Sequence, residues 1–125
     1  MLSFVIPGPP RTKKNHGFRT KQGHSMPSKA YMEWNKQAQI HLMLWRKEQD
    51  QGDFPLVMDV NCRALIFVKS WDQRGDAVGY YQGLADALQE GGIVENDRLI
   101  SSWDGSRVLL DKANPRIEIE LRLIL

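Results

Sequence analysis

Apolar residues recur along this chain with two different periods, and the switch from one to the other predicts its elements. Leu2–Ile6 is a short apolar run stopped by Pro7-Gly8-Pro9-Pro10, which reads as an opening strand. Ser28 suits a helix N-cap, and Tyr31, Trp34, Ala38, Leu42 and Trp45 follow at intervals of three and four. That spacing predicts a helix to about Gln49 with one core-facing stripe. Ile40, Met43 and Leu44 lie off the stripe and widen the apolar surface, enough to serve a partner subunit. From Leu56 the period falls to two. Leu56, Met58, Val60, Cys62, Ala64, Ile66 and Val68 share one face, with Asp59, Asn61 and Arg63 on the other, as in a half-buried strand.

The helical period returns after Asp76, which sits where a helix would start. Ala77, Tyr81, Leu84, Ala85 and Leu88 mark its buried face, and Gly91-Gly92 is a C-terminal stop, because glycine reaches the left-handed region without a Cβ clash. Leu99–Trp103 is a further strand candidate. Asp104-Gly105 is a hairpin-type turn signal with Val108–Leu110 as its returning partner. After the break at Asn114-Pro115, Ile117, Ile119, Leu121, Leu123 and Leu125 alternate with Glu118, Glu120 and Arg122 in a last strand. The order β-α-β-α-β-β-β predicts an α+β fold. It is expected as a single domain over residues 1–125, a mixed sheet of about five strands packed with two main helices.

Composition adds little to this picture, whereas charge distribution adds more. The 125 residues suffice for one core. No apolar run approaches the ~20 residues that span a bilayer, and the N-terminus lacks a charged-then-apolar leader, so no membrane association and a cytoplasmic location are expected. Cys62 is the only cysteine, which excludes an internal disulfide, and its alternating surroundings predict a buried, inert thiol. The net charge of +2 hides an asymmetry: residues 1–32 carry Arg11, Lys13, Lys14, Arg19, Lys21 and Lys29 and no acid. A basic segment on a mildly acidic body suggests a polyanion partner. The loop at residues 11–26 mixes Arg, Lys, Asn, Gly and His with one aromatic, Phe18, a composition expected of a mobile loop or exposed hairpin.

The candidate chemistry lies in residues 74–98. A helix over Val78–Glu90 is ~20 Å long, and the extended run Ile93–Asp97 covers ~17 Å on its return. This arithmetic brings Asp97 back to the level of Asp76, where two carboxylates would hold a hard divalent cation. Asp86, ~15 Å along the helix from Asp76, is too far to share it and is expected to make a structural hydrogen bond or salt bridge. His16, His24 and His41 do not make a zinc-ligand spacing with Cys62.

The string GDAVGYYQGLADALQEGGIVENDRLI, with FVIPGPPRTKKN before it and DGSRVLLDKANPRIEI after it, resembles the RusA-type Holliday-junction resolvases, in particular their phage and prophage branch. The family pattern is an Asp-x-Asp-Asn, a helix with an early lysine and a late Asp-Ala-Leu, a glycine turn and an Asp-Asp. Its first catalytic aspartate falls on Asp76 and its last on Asp97. The middle aspartate falls on Val78, the asparagine on Gly79, the lysine on Gln82, and the first Asp of the pair on Asn96. In an extended Asp-x-Asp the two side chains point the same way, so Val78 would put methyl groups where a carboxylate is expected.

The resemblance implies a homodimeric, Mg²⁺-dependent endodeoxyribonuclease (Mn²⁺ also possible) that acts on branched DNA such as a four-way junction in recombination and repair. Asp76 and Asp97 would be its catalytic and metal-binding residues. Arg11, Lys13, Lys14, Arg19 and Lys21 would hold DNA phosphates. The alternative is a catalytically lapsed relative that binds branched DNA without cutting it, for which Val78, Gly79 and Gln82 speak.

Overall fold

The computed structural model describes residues 1–13, 18–19, 25–26, 28–49 and 53–125. Strand β1 (Leu2–Pro7) leads to a small hairpin of β2 (Phe18–Arg19) and β3 (Ser25–Met26), and then to helix α1 (Lys29–Glu48). Strand β4 (Val60–Val68), a 3-10 turn at Trp71–Gly75 and helix α2 (Ala77–Glu90) follow. A second 3-10 turn (Asp97–Leu99) precedes β5 (Ile100–Ser102), β6 (Arg107–Leu110) and β7 (Arg116–Leu123). The fold is α+β, with a mixed five-stranded sheet and two main helices, as the two periodicities predict.

Strand β4 is the axis of the sheet. It pairs antiparallel with β7, which pairs antiparallel with β1. Its other edge is shared end to end by β5 and β6, both parallel to it. The inward positions of β4 (Val60, Cys62, Ala64, Ile66, Val68) are fully buried, and Ile117, Ile119 and Leu121 of β7 extend the same face. Tyr31, Trp34, Ala38 and Leu42 of α1 and Leu84, Ala87 and Leu88 of α2 complete one core against it. Cys62 lies within this core, and burial pushes its thiol up to about 12. Ile40, Met43 and Leu44 remain on the outer surface of α1.

Three expectations need correction. The hairpin expected around Asp104-Gly105 does not form between β5 and β6. Gly105 makes a tight turn with positive φ, but β6 continues along β4, where its hydrogen bonds meet an already buried strand instead of an isolated ribbon. The alternation beginning at Leu56 does not yield one continuous strand. Leu56 is diverted into hydrogen bonds with Ile93 and Glu95, and the regular ladder starts at Val60. Finally, Val78 is not extended relative to Asp76. Helix α2 begins at Ala77, so positions 76 and 78 are ~200° apart around its axis, and Val78 is 63% exposed.

Candidate active site

Where β4 ends, the chain has to reverse to lay α2 back over the sheet, and the 3-10 turn Trp71–Gly75 makes that reversal. Asp76 closes the turn and caps α2, its carboxylate Oδ1 accepting the Gly79 N–H at 3.0 Å. The Tyr80 N–H donates to the Asp76 carbonyl at 3.2 Å. The Tyr80 hydroxyl donates to the Gln73 carbonyl at 2.9 Å and ties the first helical turn to the 3-10 turn. The capping role expected of an aspartate at a helix start is therefore present. It commits one carboxylate oxygen; the other accepts no hydrogen bond from the described residues.

Beside Asp76 opens a cleft of about 660 Å³. The β4–α2 connection contributes Asp72, Gln73, Gly75, Asp76 and Tyr80. The N-terminal segment contributes Pro10, Arg11 and Thr12, and the start of α1 contributes Ser28, Lys29 and Ala30. Two carboxylates thus share a cleft with two cationic side chains. Asp72 Oδ1 accepts the Ser70 hydroxyl at 2.6 Å. The Tyr80 hydroxyl senses both charge types: burial pushes its pKa up, the Arg11 guanidinium pulls it down, and Asp76 and Asp72 push it up again.

Close helix packing holds these parts together. The Tyr31 hydroxyl donates to the Gly83 carbonyl at 2.8 Å. A Cβ at Gly83 would stand 2.9 Å from the Tyr31 ring and 3.5 Å from the Arg11 carbonyl. The absent side chain at residue 83 lets α1, α2 and the Arg11 backbone meet, and so places Arg11 at the cleft.

Asp97 does not come back to Asp76 within the chain. Its N–H donates to Gln89 Oε1 at 2.7 Å, and Gln89 lies ~20 Å from Asp76 along the axis of α2. The return is not the straight run that the arithmetic assumes. Ile93 and Val94 both donate to the Leu88 carbonyl, Glu95 crosses to the Leu56 carbonyl, and residues 97–99 coil into a 3-10 turn. The chain regains the level of the first turns of α2 only at Trp103, whose ring stacks on Tyr81 with centroids 5.1 Å apart. Asn96 caps the 3-10 turn through the Arg98 N–H at 3.0 Å.

Of the expected phosphate-binding residues, Arg11 lines the cleft. Lys13 is paired at 2.7 Å with Asp86, which thereby has the salt-bridging role expected of it. Arg19 lies in β2, whereas Lys14 and Lys21 fall outside the described residues, as do His16 and His24. No group of three or more His, Cys, Asp or Glu side chains gathers as a metal site among the described residues. Asp72 and Asp76 are the two carboxylates lining the cleft that could hold a metal; Mg²⁺ in general keeps several waters and takes one or two protein carboxylates, with substrate phosphate completing its shell.

The 3-10 turn also holds two residues to which the hydrophobic periodicities assign no role. Asp72 precedes Asp76 by four positions, a spacing that a helical turn brings to one end of the structure. Trp71 is 70% exposed beside it, with the Arg74 guanidinium 4.1 Å over its ring. A large aromatic followed directly by an acid, just after an apolar strand, is the signal that points to both.

A comparison with the curated proteins returns no match to the chain. The sequence model of one protein family, described as Endodeoxyribonuclease RusA, matches residues 7–122, nearly the whole chain.

Proposed function

Because the chain belongs to the RusA endodeoxyribonuclease family, whose members resolve Holliday junctions, we propose that it cuts branched DNA with Mg²⁺ bound at the Asp76 cleft. The observation that carries this reading is the shared cleft of about 660 Å³, lined by Asp72 and Asp76 together with Arg11 and Lys29. A bound divalent cation would polarise the scissile phosphate and activate the attacking water. The chain's own part is positional. Gly79 and the α2 backbone fix Asp76, Ser70 fixes Asp72, and Arg11 and Lys29 draw the DNA backbone in and offset its charge.

Resolving a junction takes two symmetric cuts, so a two-fold homodimer is the natural assembly. It also gives Asp97 a route to the chemistry. The outward stripe of α2 carries exposed Val78, Gln82 and Gln89. Two copies packed antiparallel along that stripe would set the partner's Asp97 beside Asp76, because Asp97 lies at the Gln89 end of the helix. The purified chain, given Mg²⁺ or Mn²⁺ and a four-way junction, is expected to nick it, and Asp76→Asn to abolish nicking. Failure of the unaltered chain with both metals would overturn the nuclease reading.

A second reading, a lapsed relative that binds junctions without cutting, is favoured by one observation. Val78 and Gln82, where the family pattern has an aspartate and a lysine, are both exposed on that stripe, so nothing structural excludes charged groups there. It predicts salt-sensitive junction binding that is indifferent to metal and to Asp97→Asn.

A further inference from the structure

Thr12 is 95% buried, lines the cleft, and its hydroxyl has no hydrogen-bond partner among the described residues. A buried hydroxyl without a partner is costly, and such groups in folded proteins are nearly always satisfied by something. The start of α1 stands in the same cleft. Of the first backbone N–H groups of this 20-residue helix, Tyr31 donates to the Ser28 hydroxyl at 3.1 Å and Met32 to the Ser28 carbonyl at 3.0 Å. The N–H groups of Lys29 and Ala30 take no partner among the described residues, and the first turn carries no acidic side chain to offset the positive end of the helix. Lys29 and Arg11 add full positive charges at the same place.

We infer that the Thr12 hydroxyl, the N-terminus of α1, Arg11 and Lys29 form a binding site for one phosphate group of the DNA strand that enters the cleft, distinct from the cation site at Asp72 and Asp76. The inference rests on the nuclease reading for the identity of the ligand, although not for its chemistry. Helix N-termini bind phosphate through free N–H groups and the aligned backbone dipoles. A hydroxyl donor and two cations supply the remaining contacts to the non-bridging oxygens. The arrangement gives the cleft a polarity: a strand phosphate seated at α1 would direct the neighbouring backbone toward the carboxylates, where a cation offsets their charge. The Thr12 side chain thereby acquires the partner that its burial demands.

The test uses the full-length chain, with Thr12→Val, Thr12→Ser and Lys29→Gln. Thr12→Val removes the hydroxyl without changing shape, so thermal stability is expected to hold or rise, since a buried unpartnered donor is lost. Four-way-junction affinity, measured in Ca²⁺ to prevent cutting, is expected to fall about tenfold or more, as for one hydrogen bond to a charged group. Thr12→Ser should restore it. Lys29 is exposed, so Lys29→Gln tests the site without risk to folding; it should lower the slope of log affinity against log salt by about 1, and Thr12→Val should leave that slope unchanged. A parallel titration with inorganic phosphate at constant ionic strength separates the two proposals. Phosphate binding that depends on Thr12, in a chain that ignores DNA, would keep this site and overturn the nuclease reading. Affinities for both ligands that Thr12→Val and Lys29→Gln leave unaltered would overturn the site.

Discussion

The Asp76 carboxylate rests against the α-carbon of Gly79, so closely that a β-carbon there would overlap it. The contact pairs with the 3.0 Å hydrogen bond from the Gly79 N–H. Gly79 is thus the seat of the acidic side chain on which the proposed chemistry turns, and the position where the family pattern has an asparagine is filled here by the one residue that leaves this seat open.

Gly79→Ala is therefore expected to separate stability from activity. The alanine gains up to ~1 kcal/mol of helix propensity and forfeits ~1 kcal/mol of capping as Asp76 is displaced, leaving net stability within about 1 kcal/mol of the parent. Mn²⁺ binding, followed by electron paramagnetic resonance, and junction nicking should both fall by tenfold or more. Unchanged metal binding would remove Asp76 from the cation site.

The antiparallel dimer predicts complementation between inactive subunits. Asp76→Asn and Asp97→Asn chains are each expected to be inactive alone. Mixed after denaturation and refolding, they should regain nicking of one strand and not the paired cuts that resolve a junction, because each heterodimer holds one intact composite site. Continued inactivity of the mixture beside an active parent dimer would argue that Asp97 acts elsewhere.

If the chain is a lapsed relative, the combined change Val78→Asp and Gln82→Lys should confer metal-dependent cleavage on a protein that otherwise only binds. Both positions are exposed, so the substitutions should alter the unfolding free energy by no more than about 0.5 kcal/mol each. Cleavage already present in the unaltered chain would dismiss this reading outright.

The helix contact at Gly83 should be among the least tolerant sites of the fold. Gly83→Ala presses a methyl group onto the Tyr31 ring and is expected to cost about 1–3 kcal/mol in urea unfolding. Tyr31→Phe leaves the packing and removes one hydrogen bond, for a loss of about 1 kcal/mol. Since the same contact positions Arg11, Gly83→Ala should also weaken junction binding.

Alkaline stability should carry the mark of Cys62. Its thiol ionises near its ordinary 9.0 in the unfolded chain and at about 12 in the folded core. The unfolded state therefore holds fewer protons across that interval. The group's contribution is fully present below pH 9 and is lost progressively as pH rises to 12, by roughly 1.4 kcal/mol per pH unit. The raised Tyr31 hydroxyl acts in the same direction from pH 10 upward. Urea midpoints between pH 8 and 11 should fall more steeply for the parent than for Cys62→Ala; parallel curves would show that Cys62 is solvated.

The sequence by itself determined the two long helices and the principal strands, and most of the positions that each of them buries. Tyr31, Trp34, Ala38 and Leu42 at helical spacing, and Val60 through Val68 in alternation, lie in the core as their periods require. Those patterns are local consequences of 3.6 residues per turn and of the strand pleat, and they need no knowledge of neighbours. The cap at Asp76 was legible for the same reason, whereas the partner of Asp86, Lys13, lies far off in the chain. Tertiary structure alone decided what stands next to what. The run after Gly92 spends its residues crossing to Leu56, which leaves Asp97 at the wrong end of α2 for Asp76 of its own chain. Hydrogen bonding to β4 drew β6 away from β5. The 3-10 turn brought Asp72, and the contact at Gly83 brought Arg11, to the cleft beside Asp76. Each of these depends on long-range backbone pairing and close packing, whose free energy is shared among residues far apart in the chain and leaves no periodic trace in the letters.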